Sequence, residues 1–197
     1  MQLASRIVSP YESWRNSRIH QGDIFRDAIL TEDVLAEPDA IGVIRQEFQY
    51  IVVLSQDCDL EQDFDNRSKL DSQTHDKYLQ NILFCPAYVA TDFKEGSHLK
   101  DLNLNMHRWD RDSKDSWKKI MQNMHSRYHR LQPFGDLQLP ELIIDFKHYA
   151  TVPRDIIYHR GIRNNYLGTL AELFRENLSS RFAHYLSRVA LPDIAEV

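Results

Sequence analysis

Tyr50-Ile51-Val52-Val53-Leu54-Ser55-Gln56-Asp57-Cys58-Asp59-Leu60 is the stretch whose reading decides the fold. An apolar, β-branched run ends abruptly in an amide, two carboxylates and a thiol. The run reads as a buried strand, and the polar cluster then lies at the end of a rigid element, where sites are commonly built. Upstream, Gly22-Asp23-Ile24-Phe25 reads as a turn opening a second strand over Asp23–Leu30. Two such strands, with the segments that follow, predict a β-rich domain carrying a polar site at one strand end.

Working outward, residues 1–21 read as an irregular arm with Tyr11 and Trp14 as anchors, and residues 31–40 as a loop. Ile41–Arg45 and Phe48–Ser55 read as strands. Glu61–Lys77 is strongly polar and reads as a solvated loop, partly helical, or as a lid over the Asp57–Asp59 cluster. Leu79–Thr91 reads as a strand whose Pro86 asks for a bulge or an edge position. Trp117, Ile120, Met121 and Met124 recur at helical spacing and predict a helix over 113–125. Ser126–Leu131 and Leu137–Phe146 read as strands separated by the turn at Pro133-Phe134-Gly135-Asp136. The C-terminal stretch, 167–190, carries an apolar stripe from Leu170 through Leu178 and Phe182 to Val189 and reads as a long helix ended by Leu191-Pro192.

The expected architecture is a single α+β domain over residues 1–197. Its β-rich part spans 22–153, as a small SH3-like barrel or a strongly bent antiparallel sheet. A mid-chain helix is inserted in it and a long C-terminal helix follows. A length of 197 residues suits one domain, and 42% hydrophobic residues suffice for a core. The net charge of −5 argues against a grip on nucleic acid by bulk electrostatics, although a site needs only a few well-placed cations. No apolar run approaches the roughly 20 residues of a membrane helix. The first residues lack the apolar stretch of a signal peptide. The expectation is a cytoplasmic protein with no membrane partner and with reduced thiols at Cys58 and Cys85.

Several groups carry candidate chemistry. On a continuing strand Asp57 and Asp59 share a face, with Gln56 and Cys58 on the other. Paired carboxylates hold a cation or push one carboxyl toward neutrality. The structural alternative is a strand-end cap accepting backbone N–H groups. Cys58 reads as a buried thiol first and as a nucleophile only if a histidine lies beside it. Zinc would need Cys58, Cys85, His107 and His129 to converge by long-range folding, and no metal-ligand spacing or cofactor motif is present. Arg127-Tyr128-His129-Arg130 is a basic and aromatic strand. Its arginines suit phosphate, its tyrosine suits base stacking and its histidine suits proton transfer. The alternative is a solvated strand with edge-blocking charge. Asp145, inside Ile143-Ile144-Asp145-Phe146, needs a cationic partner, for which Arg181 and Arg188 are candidates.

At Gly22-Asp23-Ile24-Phe25 and Ile51-Val52-Val53-Leu54-Ser55 the sequence resembles the PemK/MazF-type toxins, which carry a Gly-Asp-Ile strand start and a later Val-Val-Leu-Ser strand. The resemblance covers about the first third of the chain. It implies an SH3-like barrel and, for active members, metal-independent cleavage of single-stranded RNA. The Gln56-Asp57-Cys58-Asp59-Leu60 extension departs from the toxin pattern, and the longer string Leu-Ser-Gln-Asp-Cys-Asp-Leu is similar to a group of bacterial proteins related to that barrel. The resulting expectation is a toxin-like RNA-binding or RNA-cleaving protein. Asp57, Asp59 and His129 would act in catalysis, and Gln56, Arg127, Tyr128 and Arg130 would bind substrate. A second expectation is a non-catalytic interaction module that docks a protein partner, or a second copy of itself, through the C-terminal helix.

Overall fold

A computed structural model describes residues 9–13, 17–37, 40–69 and 74–188; within it, residues 31–37, 40–46 and 160–161 are described by their backbone alone. Trp14, Val189 and Leu191-Pro192 lie outside the described residues.

Among the described residues eight strands form one antiparallel sheet: β1 (Tyr11–Glu12), β2 (Asp23–Glu37), β3 (Ala40–Val53), β4 (Asn81–Val89), β5 (Tyr128–Leu131), β6 (Leu142–Asp145), β7 (Ala150–Pro153) and β8 (Tyr166–Leu170). Their order is β1-β8-β2-β3-β4-β6-β5, with β7 also on β4. The sheet is open. The fold is thus α+β, with the antiparallel sheet of the two forms expected rather than the closed barrel. Among the described residues six α-helices accompany it: α1 (Asp57–Arg67), α2 (Ala90–Glu95), α3 (Lys114–Met121), α4 (Arg154–Tyr158), α5 (Arg160–Asn164) and α6 (Glu172–Leu186).

The run at 51–53 reads as continuously apolar because both faces of the sheet are covered. Val52 points, with Ile24, Cys85, Ala87 and Ile144, toward Leu178 and Phe182 of α6. Ile51 and Val53 point the other way, with Phe25 and Phe84, toward Leu60 of α1, Ile157 of α4 and Ile162 of α5. All three β3 side chains have no exposed surface, which stabilises by about 1.5–3 kcal/mol each. A third patch seats α2 and α3 on the far edge through Phe93, Ile120, Tyr128 and Ile143.

Gly22 makes the turn into β2 at φ +85°, a left-handed conformation suited to glycine. Its N–H donates to the Val53 carbonyl at 2.9 Å. Pro86 sits in the middle of β4, opposite Ile51, and not on an edge. The neighbour on the other side of β4 breaks between β6 and β7, with Ala87 opposite Ile144 and Phe84 opposite Ala150. A proline without a donor is accommodated beside that break.

Other expectations differ from what the chain forms. Most of residues 31–40 extends the β2–β3 hairpin, with Leu35 opposite Ile41, and is not a loop. The polar stretch from Glu61 begins inside α1. Asp57 and Asp59 sit in that helix's first turn, where carboxylates favour the macrodipole, and its buried face is made by Leu60 and Asp63. A buried carboxylate defeats a reading by polarity alone. Asp63 is held by Arg67 at 2.6 Å, Arg154 at 2.8 Å and the Leu79 N–H at 2.9 Å. The C-terminal helix begins at Glu172, because Tyr166–Leu170 is recruited as β8 between β1 and β2. Only Leu142–Asp145 of the stretch 137–146 forms a strand. Among the described residues, no helix is long and apolar enough to cross a membrane.

Candidate functional site

The polar residues beyond β3 do not continue as a strand. Gln56 precedes α1 in extended conformation and Asp57 opens the helix. Successive helical residues turn by about 100°, so Asp57 and Asp59 point to nearly opposite sides. Asp59, Gln56 and Cys58 are exposed. The exposed Cys58 corrects the buried-thiol expectation; its sulfur lies 3.8 Å from Gln56 Oε1 and 3.8 Å from Asp59 Oδ1. Cys85 is the buried thiol, against the Asp145 carbonyl at 3.3 Å. Among the described residues no three His, Cys, Asp or Glu side chains group as a metal site requires.

Asp57 turns instead toward residues from both ends of the chain. Arg18 reaches its Oδ2 at 3.2 Å and its main-chain carbonyl at 3.0 Å. The Gln21 N–H donates to Oδ1 at 3.1 Å, His20 Nδ1 lies 3.3 Å from the same oxygen, and Arg175 of α6 approaches it at 3.7 Å. This is no strand-end cap, since the carboxylate serves groups outside its own turn. Its partial burial would raise the carboxyl pKa. The His20 hydrogen bond, the Gln21 N–H and the positive charges of Arg175 and Arg18 outweigh that and hold it well below the usual carboxylate range.

Asp23 lies one layer deeper. It accepts the His20 N–H at 2.8 Å and faces the Thr169 hydroxyl. Burial pushes its carboxyl up to about 6, against the pull of the His20 N–H, Thr169 and the His20 ring. Gln21 anchors the turn through its side-chain amide, which donates to the Leu54 carbonyl at 2.9 Å. A partly buried cluster of two arginines and a carboxylate, with the buried His20 beside it, thus rests on a buried carboxyl of raised pKa. Such an arrangement can bind an oxyanion and move a proton.

The basic and aromatic strand belongs to another neighbourhood. From β3 to β5 there are three inter-strand steps, about 14 Å at the usual spacing. Arg127 is engaged by Asp145 through two hydrogen bonds, 2.7 and 2.5 Å. It therefore supplies the partner expected of Arg181 or Arg188. Arg130 is engaged by Glu141, its Nε at 2.7 Å. Tyr128 is buried against Phe93 and Trp109, so it is no open stacking platform. His129 is 5% exposed, and burial with the charge of Arg181 pushes its pKa down to about 3. Arg181 itself donates to the carbonyls of Asn123, His125 and Tyr128. His107 pairs with Asp112 on the surface, apart from either cysteine.

Of the predicted site residues, Asp57 therefore gathers a constellation. His20, Arg18, Asp23 and Arg175 escaped the sequence reading. The first three flank the glycine turn in Arg18-Ile19-His20-Gln21-Gly22-Asp23, a polar string before a strand that carried a usable signal. Arg175 carried none, because only the helix's packing brings it near. No protein-family model matches the chain, and no curated protein matches its sequence.

Proposed function

We propose that the chain binds and cleaves single-stranded RNA in the manner of PemK/MazF-type toxins, at the Asp57 cluster beyond the end of β3. The observation that carries this reading is the convergence of Arg18, Arg175 and the buried His20 on one partly exposed carboxylate. Two guanidinium groups offer a phosphate fork, and an imidazole held by a carboxylate is an acid–base group of fixed orientation. The two motifs of the resemblance also support it, since they are neighbouring strands, with Ile24 opposite Val52 and Phe25 opposite Ile51. In the reaction His20 takes the proton of a ribose 2′-hydroxyl. The oxygen attacks the adjacent phosphorus, the P–O5′ bond breaks, and the 5′-oxygen leaves with a proton taken from solvent water, giving a 2′,3′-cyclic phosphate while His20 later returns its proton to water. Arg18 and Arg175 carry the charge that builds on the phosphoryl oxygens.

The test is incubation of the purified protein with mixed single-stranded RNA, with and without chelator, beside His20→Gln and Arg175→Gln variants whose folding is verified by circular dichroism. Cleavage that survives chelation and disappears in both variants is the expected result. Cleavage that needs added metal, or that persists in both variants, overturns this mechanism. The second reading, an interaction module using α6, is favoured by Leu173 and Leu186, which are 70% and 52% exposed beside the buried Leu178 and Phe182. It predicts that Leu173→Glu and Leu186→Glu together lower the mass measured by light scattering, with RNA left intact.

A further inference from the structure

β3 and β4 part company beyond Tyr50. They are held together from Val53 opposite Phe84 to Tyr50 opposite Ala87. Past Ala87, β4 continues against β6 on its other side, with Tyr88 opposite Ile143 and Val89 opposite Leu142, and then turns into α2. β3 runs on to Ala40 with β2 alone. Among the described residues no strand takes the place of β4 beside residues 40–49. An antiparallel strand paired on one side turns alternate N–H and C=O groups outward, and such an edge is a template for another strand.

A groove of about 750 Å³ opens in this fork. Residues 47–50 and 86–89 line it consecutively rather than alternately, so it follows strand edges and not one face of the sheet. Tyr50, Tyr88 and the exposed Leu102 give it apolar surface. Asp27, Glu47, Asp92 and Asp101 line it as well, and among the described residues no arginine or lysine does. His98 adds no charge at neutral pH, because burial pushes its pKa down to about 4.

We propose that this groove binds an extended peptide segment rich in lysine or arginine, which adds as a strand to the open edge of β3. The strand edge supplies main-chain hydrogen bonds, the source of affinity when a peptide extends a sheet. The carboxylates select basic side chains, whose aliphatic stems lie along the tyrosine rings. The same carboxylates repel a phosphate backbone. The site does not depend on the RNA reading, since the Asp57 cluster lies past the stretch of β3 that holds β4.

The experiment is fluorescence anisotropy of the full chain with a labelled peptide of three Lys-Val repeats, at low salt and neutral pH. Comparators are the same peptide N-methylated at every residue, and spermidine as an unlabelled competitor. Saturable binding in the micromolar range is expected. Asp92→Asn with Asp101→Asn is expected to weaken it about fivefold, as two exposed ionic contacts would. Asp65→Asn with Asp136→Asn, the same change of charge at exposed positions outside the groove, leaves affinity unchanged. N-methylation keeps the charge and removes the main-chain donors, and is expected to weaken binding about tenfold. Spermidine, which has no main chain, is expected to compete only at a concentration about tenfold above the peptide's. No saturable binding, an equal loss in the two double variants, undiminished binding of the N-methylated peptide, or spermidine competing as well as the peptide overturns the proposal.

Discussion

Asp23 and Asp57 are neighbouring carboxyls that their surroundings drive in opposite directions, and the consequences for stability have opposite signs. Asp23 is raised to about 6 from an unfolded value near 3.9. The folded state therefore holds its proton more tightly, and stability falls as pH rises from about 4 through 6. Asp23→Asn keeps an acceptor for the His20 N–H and removes the buried charge. It is expected to raise stability at pH 8 by about 2 kcal/mol, seen as a higher urea midpoint, with little change at pH 4. Asp57 is depressed, so its contribution is present above about pH 4 and is lost as pH falls through the folded value. Asp57→Asn is expected to cost about 1 kcal/mol at pH 7, a figure discounted for the quarter of the side chain left exposed, and measurably less at pH 2, part of the way down to the depressed folded value. Equal losses at both pH values would rule out the ionic account. The sequence made Asp57 legible as a site residue because it broke an apolar run. It could not reveal that Asp23, in the same chain's opening turn, would be the buried member of the pair.

At the scale of elements, β5 and β6 are joined by side chains as much as by their ladder. Asp145 is 1% exposed, and the Arg127 fork is its main neutralising partner. His148 stands further off at 3.6 Å. Arg127→Ala leaves a buried charge uncompensated and is expected to cost about 3 kcal/mol, read as a shift in the denaturation midpoint. Arg127→Lys should recover only part of this, since an ammonium cannot form both bonds. A loss below about 1 kcal/mol would mean that Asp145 is protonated or wetted in the native state. The position of Asp145 in an apolar strand announced that a cation was needed. It did not say which, because Arg127 lies just before the neighbouring strand β5 while the helix arginines were closer to the expected packing. Strand identity itself was legible wherever both faces were apolar, as in β3 and β4. It was not at β8, where Tyr166-Leu167-Gly168-Thr169-Leu170 satisfies a helical stripe equally well. Within β8 a Cβ on Gly168 would lie 2.5 Å from Leu137 Cδ1 and 3.0 Å from the Glu12 carbonyl oxygen, so a larger residue would force the Leu137 side chain aside and press on the β1 backbone. Gly168→Ala is expected to destabilise by about 1–3 kcal/mol, and an unchanged melting temperature would refute this packing argument.

Across the whole molecule, the sheet's two covered faces divide labour. The α6 side supplies Arg175 to the Asp57 cluster, while α1, α4 and α5 close the opposite core. Amide hydrogen exchange should follow this division. Ile51–Val53 and Ile82–Ala87 are expected to exchange only through global unfolding. The two-residue strand β1 should exchange orders of magnitude faster, and comparable rates in β1 and β3 would contradict the layering. The α+β class and the two strand motifs were legible because hydrophobic burial writes itself locally. The open sheet and its strand order were not, since they depend on partners far apart in the chain. One of those partnerships constrains how the protein comes into being. Tyr11 finds Leu170, and the opening of β2, Asp23–Phe25, stays bare on one side until β8 arrives between them. A nascent chain on the ribosome therefore lacks both the closing strand and Arg175 until residues 166–175 have been translated. Whatever the Asp57 cluster does, it cannot begin before that point, and a polypeptide terminated earlier would present a bare strand edge rather than a partly working protein.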